Sequence, residues 1–138
     1  MPKDISPLSQ HGYRVLLVDD NPHFLTVAYE FLEEHDGIEV VGAVSSGHEA
    51  LHVVDHLSPG LVIVDISMDG MNGLELTRLL KSSGHVAVIV LTLLDTPSYQ
   101  QAAFEAGADA FVGKSRMDVD LLPAIRRLID DGCRAVSP

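Results

Sequence analysis

Short apolar runs alternate along this chain with stretches in which apolar residues recur every three or four positions. The runs Tyr13–Val18 (YRVLLV), Ile38–Val44 (IEVVGAV), Leu61–Val64 (LVIV) and 86–91 (VAVIVL) are rich in Val, Ile and Leu, and 109–112 (DAFV) is short but apolar in its middle. Such runs, with little polar alternation, predict strands covered on both faces, as in a parallel sheet. Between them, Phe24, Val27, Ala28, Phe31 and Leu32 fall on one helical face, as do Ala50, Leu51, Val54 and Leu57, then Leu76, Leu79 and Leu80. A short alanine-rich helix is predicted after Thr96, and a last one carries Leu121, Leu122, Ile125, Leu128 and Ile129.

The boundaries are marked by residues with a local reason to be there. Asn21-Pro22 and Thr96-Pro97 pair a capping side chain with a proline suited to the first helical position, and Ser46 with Glu49 has capping-box spacing. Gly37 and Gly107 are the expected stops of the first and fourth helices, while Pro59-Gly60 breaks the chain before the third strand. Pro123 is expected only in a first turn, which places the start of the last helix near Asp120, with Asp118 as the other candidate cap. Five strands alternating with five helices predict right-handed crossovers and a doubly wound five-stranded parallel sheet of the flavodoxin-like (βα)5 type. The order 2-1-3-4-5 is expected from that fold and is not read from the residues themselves. Residues 1–12 are polar and aperiodic and predict a flexible N-terminal arm, 13–131 form the expected domain, and 132–138 a tail or the start of an interdomain linker.

Composition narrows the function classes. Hydrophobic residues at 46% and charged residues at 21% of 138 describe one ordinary globular domain with a core that needs no disulfide. The apolar runs are too short to cross a bilayer, and no charged leader with a hydrophobic core and cleavage site opens the chain, so the cytoplasm is the expected compartment. A net charge of -11 argues against direct nucleic-acid binding, which requires clustered cations to neutralise phosphates. His48, His52 and His56 fall at i, i+4 intervals but lack a partner fixed by the same pattern, and are expected on a solvated helix face. Cys133 is the single cysteine and is expected to be a surface thiol.

The chemistry collects at strand ends. Asp19 and Asp20 follow the first strand, Asp65 the third, Thr92 the fourth and Lys114 the fifth, all on the edge where open α/β sheets place their ligands. Taken alone, the aspartates would be read as turn or capping residues, Thr92 as a loop hydroxyl and Lys114 as a solvated charge. Their coincidence points to one site. Three neighbouring carboxylates repel one another unless a cation neutralises them, and an all-oxygen set suits a hard divalent ion such as Mg2+. A carboxylate can also act as a nucleophile towards phosphorus, with Lys114 offsetting the charge of the transferred group.

These residues resemble the receiver domains of two-component response regulators. The likeness rests on LLVDDNP, on VIVDI followed by Met68, Gly70 and the Asn72-Gly73 pair, on VIVLT and on GADAFVGK, and it spans residues 13–131. It implies that Asp65 accepts a phosphoryl group from a sensor histidine kinase. Asp19, Asp20, Asp65 and the Ser67 backbone carbonyl would hold Mg2+, Thr92 and Lys114 would bind the phosphoryl oxygens, and Phe111 would stand at the aromatic switch position. It also implies a phosphoacceptor signalling domain rather than an enzyme, and a homodimer or output contact through residues 96–131. GKSRMDVDLLPAIRRL and the tail GCRAVSP are similar to the subgroup that carries a helix-turn-helix DNA-binding output domain, which implies a part in transcription regulation.

Three positions depart from the family pattern. Asp69 stands where a proline usually follows the methionine, Ser115 where a proline often follows the lysine, and Leu93 where a small residue commonly follows the threonine; Leu93 and Asp69 are expected to affect access to Asp65. An aspartyl-nucleophile phosphatase would carry a second Asp where this chain has Ser67, and a flavin domain would need a hydroxyl- and glycine-rich loop in place of DDNPHF. The remaining alternative is a degenerate receiver acting as a phosphorylation-independent protein-interaction module.

Overall fold

A computed structural model describes residues 12–84 and 86–136, with side chains through Asp131. The expected N-terminal arm, apart from Gly12, His85 and the side chain of Cys133 lie outside the described residues. The elements are β1 (Tyr13–Val18), α1 (Pro22–Glu33), β2 (Ile38–Val44), α2 (Gly47–Leu57), β3 (Leu61–Val64), α3 (Gly73–Ser83), β4 (Ala87–Thr92), α4 (Pro97–Glu105), β5 (Ala110–Gly113), a 3-10 turn (Lys114–Arg116) and α5 (Met117–Val136). All strand pairs are parallel, in the order β2-β1-β3-β4-β5.

The two faces of the sheet follow the period-2 alternation of the strands. Val15, Leu17, Ile63, Ile89, Leu91 and Val112 pack against Ala28 and Leu32 of α1 and Leu121 and Ile125 of α5. The intervening Leu16, Val18, Val62, Val64 and Val88 pack against Ala50 of α2 and Leu76 and Leu80 of α3. A third cluster, of Ile66, Val90, Ala103 and Ala108, seats α4. Because both faces are covered, polar groups are confined to the strand ends. Among the described residues no helix is long and apolar enough to cross a membrane.

The Asn21, Ser46, Asn72 and Thr96 side chains each accept hydrogen bonds from the first turn of the helix they precede, as capping requires. Several expectations are corrected. Only half of the capping box forms: Ser46 Oγ accepts from Glu49 N, but the Glu49 carboxylate turns to the backbone N–H and hydroxyl of Ser45, which offer two donors to one oxygen. Helix α1 ends at Glu33 with a cap at Glu34, and Gly37, at φ +87°, makes the turn into β2. Leu79, expected in the buried stripe of α3, is exposed. Helix α5 begins at Met117 and not at Asp120, so Pro123 lies in its second turn. An interior proline costs ~3 kcal/mol, and complete burial of both Leu121 and Ile125, at roughly 1.5–3 kcal/mol each, offsets it. No described peptide bond is cis, the Lys114–Ser115 bond included. The imidazoles of His48, His52 and His56 are exposed, as expected of a solvated face.

Candidate functional site

Strand register sets the site. Val18 pairs with Val44 on one side and Val64 on the other, so the chains leaving β1 and β3 emerge together. Asp19 N donates to Val44 O and Asp65 N donates to Val18 O, each at 3.1 Å, which carries the ladder one residue further and leaves the two side chains adjacent at the carboxyl edge. Strand β1 lies between β2 and β3, the place where the winding reverses and where such sheets open a crevice. Val90 pairs with Val64 and Thr92 with Gly113, so Thr92 and Lys114 come to the same edge.

The structure brings together Asp19, Asp20 and Asp65, each with a carboxylate oxygen within 4.8 Å of the others. Asp19 and Asp65 are buried and Asp20 is exposed. Lys114 Nζ lies 2.7 Å from Asp19 Oδ2 and 3.4 Å from Asp65 Oδ2. Each carboxylate is also steered by the backbone: Asn21 N donates to Asp19 Oδ1 at 2.9 Å, Asp69 N to Asp20 Oδ2 at 3.2 Å, and Ser67 N to Asp65 Oδ1 at 3.4 Å. The donor to Asp20 depends on the departure at position 69, because a proline there would have no N–H. Thr92 is fully buried, and its Oγ1 accepts from Leu94 N at 3.1 Å, which leaves the hydroxyl hydrogen for another acceptor. Phe111 is half-buried against the α4 cluster. Leu93 is 71% exposed, in contact with no core cluster, and Asp69 and Ser67 are exposed on the loop after β3.

The acidic set fits a divalent cation. Asp19 Oδ2 is buried against the Lys114 ammonium at 2.7 Å, which also lies 3.4 Å from Asp65 Oδ2, so a single lysine offsets two buried carboxylates beside the exposed one of Asp20. Burial raises the Asp19 pKa, with Asp65 adding to the rise and Lys114 and the Asn21 N–H opposing it. The raised value means the folded chain holds that proton to a higher pH than the unfolded chain does. The associated stability is full below the ordinary value of 3.8 and is lost as pH rises through the folded value. In chelator, the wild type should therefore lose more stability than Asp19→Asn as pH rises from 4 to 7. Parallel pH dependences of the two proteins would show that the buried charge carries no cost.

One contributor, Phe24, carries no signal of its role in the sequence, and a second, Gly73, has a role that its motif does not explain. Phe24 was one apolar residue among five on its helix, yet its ring lies under the Lys114 ammonium, 4.1 Å from Nζ. Gly73, already part of the Asn72-Gly73 pair on which the resemblance rests, has no room for a side chain, because a Cβ there would meet the backbone of Asp65 and Ile66.

A family model described as response regulator receiver domain matches residues 15–126. Over 126 residues the chain is 36% identical to the response regulator GacA of Pseudomonas viridiflava, an alignment covering 91% of this chain and 58% of that protein. It is 31% identical over 120 residues to the nitrate/nitrite response regulator protein NarL of Escherichia coli (strain K12), covering 86% and 56%. The chain thus spans little more than half the length of these relatives. A two-component response regulator of the LuxR family from Aurantimonas sp. SI85-9A1 superposes with a TM-score of 0.82 at 28% identity, covering 87% of this chain and 86% of that one. The response regulator domain of Thermotoga maritima CheB gives 0.81 at 25%, covering 92% and 99%.

Proposed function

The chain belongs to the response regulator receiver domain family, a family of signalling domains, and from that premise we propose that Asp65 is its phosphoacceptor and a sensor histidine kinase its donor. The observation that carries the reading is the meeting of Asp65 with Asp19, Asp20 and the Lys114 ammonium at one sheet edge. A carboxylate oxygen of Asp65 attacks the phosphorus of the donor, so that an O–P bond forms as the donor's bond to phosphorus breaks. Asp19, Asp20, Asp65 and the Ser67 carbonyl hold Mg2+, which supplies charge neutralisation for the phosphoryl oxygens when bound. Lys114, already 3.4 Å from Asp65 Oδ2, pairs with a phosphoryl oxygen, and Thr92 donates its free hydroxyl hydrogen to another.

Phosphorylation adds roughly -1.5 to -2 charge units and new acceptors. Thr92 and Lys114 are drawn towards them, Phe111 moves with them, and a pre-existing equilibrium shifts. The surface that changes is residues 96–131, which serves a homodimer or an output contact. The resemblance to regulators with helix-turn-helix outputs supports a part in transcription regulation in the cytoplasm, with residues 13–131 as the receiver unit and 132–138 as a tail or the start of an interdomain linker. A phosphorylation-independent module would have no use for the complete set of Asp, Thr and Lys side chains.

Incubation with a small acyl phosphate and magnesium, followed by intact mass measurement, tests the reading. One phosphoryl group per chain is expected, and none when the ion is chelated. Equal labelling with and without chelator would remove the metal from the reaction. Leu93 bears on how long the product lasts, because hydrolysis needs a water in line with the O–P bond and a large exposed side chain just after Thr92 can obstruct it. Leu93→Ala should shorten the lifetime of the aspartyl phosphate a few-fold with little change in stability, and an unchanged lifetime would show that Leu93 does not gate the site.

A further inference from the structure

The Lys114 ammonium meets three groups among the described residues: Asp19 Oδ2 at 2.7 Å, Asp65 Oδ2 at 3.4 Å, and the Phe24 ring, whose centroid is 4.1 Å from Nζ. The side chain is nearly buried, at 8% exposure, so the ring faces a cation with little water around it, the condition in which a cation over an aromatic face is held most strongly. Asp19 Oδ2, the oxygen closest to the ammonium, is buried too and belongs to the acidic set. Lysine and a divalent cation therefore compete for the same oxygen.

We infer that Phe24 is a positioning residue: its ring seats the Lys114 ammonium against Asp19, and so sets how readily a divalent cation displaces that ammonium. The inference rests on the reading of the acidic site as a magnesium site. Phe24 reaches the lysine from the first turn of α1, whose start is fixed by the Asn21 cap and by Pro22, so the seat is built into the helix start that directly follows Asp19 and Asp20. A leucine there would fill similar space without offering a negative face to the ammonium.

Magnesium titration by calorimetry, on the wild type and on Phe24→Leu and Phe24→Tyr, each also made in a Lys114→Met background, tests this. Phe24→Leu should bind magnesium roughly three- to tenfold more tightly than wild type, the factor that loss of one desolvated cation–ring contact allows. Phe24→Tyr, which keeps the aromatic face, should stay within about twofold of wild type on the same scale. With Lys114→Met the leucine variant should have no further effect, because there is no ammonium left to seat. If Phe24→Leu changes the affinity equally in both backgrounds, or if tyrosine behaves as leucine does, the ring acts only as packing and the inference fails. Should the leucine variant not fold, Phe24→Met supplies the same bulk without the aromatic face. Absence of magnesium binding by the wild type would instead overturn the reading of the acidic site, and this inference with it.

Discussion

Asp65→Asn should fold as the wild type does and take up no phosphoryl group from an acyl phosphate in the presence of magnesium. The substitution keeps the shape of a buried side chain and replaces the nucleophilic oxygen with a neutral amide, which attacks phosphorus far more poorly. It also removes one of two buried carboxylates that face each other at the carboxyl edge, so stability in chelator should not fall. The other carboxylates of the site are poor substitutes. Asp19 is committed to Lys114 at 2.7 Å and to the Asn21 N–H, and Asp20 is held by the Asp69 N–H at the mouth of the site. Intact mass measurement of both proteins after the same incubation gives the answer. A residual gain in the variant, traced by peptide mapping to Asp19 or Asp20, would show that the nucleophile was misassigned.

Much of this site was legible in the sequence because strands that are buried on both faces exclude polar residues until they end. Asp19, Asp65, Thr92 and Lys114 are conspicuous because each terminates such a run, and the fold then brings all the ends to one edge. What could not be read was whatever depends on packing between elements distant in the chain. Phe24 satisfies the helical period of α1 whether or not a lysine lies above it. Leu79 fits the period of α3, yet it is exposed while Leu76 and Leu80 on the same helix are buried. Pro123 marked a helix start by local preference alone, and the burial of Leu121 and Ile125 on either side of it outweighed that preference. The turn of Glu49 towards Ser45 reflects a choice between neighbouring donors that spacing does not distinguish.

Gly73→Ala should be the most damaging single methyl group that can be added near the site. The backbone of Gly73 needs no unusual dihedral, so the requirement is for space. A Cβ there would lie 2.1 Å from Asp65 O, 2.7 Å from Asp65 C and 2.8 Å from Ile66 Cα. All three are backbone atoms, and none can rotate away as a side chain could. The first turn of α3 is drawn this close because Gly73 N donates to Ile66 O at 2.9 Å, while Asn72 caps the turn and the Thr77 hydroxyl donates to Gly73 O at 2.7 Å. Relief requires α3 to back away from β3, which breaks the bond to Ile66 and moves Asp65 itself. Overpacking of this kind costs ~1–3 kcal/mol where side chains can adjust, and with only backbone to move the loss should be about 3 kcal/mol or more. Gly70→Ala is the natural control: Gly70 sits at φ +76° with nothing within 4 Å of its Cβ position, so alanine there brings backbone strain of roughly 1–2 kcal/mol and no push on Asp65. Denaturant melts and phosphorylation rates of the two variants should therefore diverge, with Gly70→Ala mildly less stable but still labelled, and Gly73→Ala strongly destabilised and labelled slowly even under conditions where it remains folded. If Gly73→Ala instead matches Gly70→Ala in both measurements, the close approach of α3 is not what holds Asp65 in place.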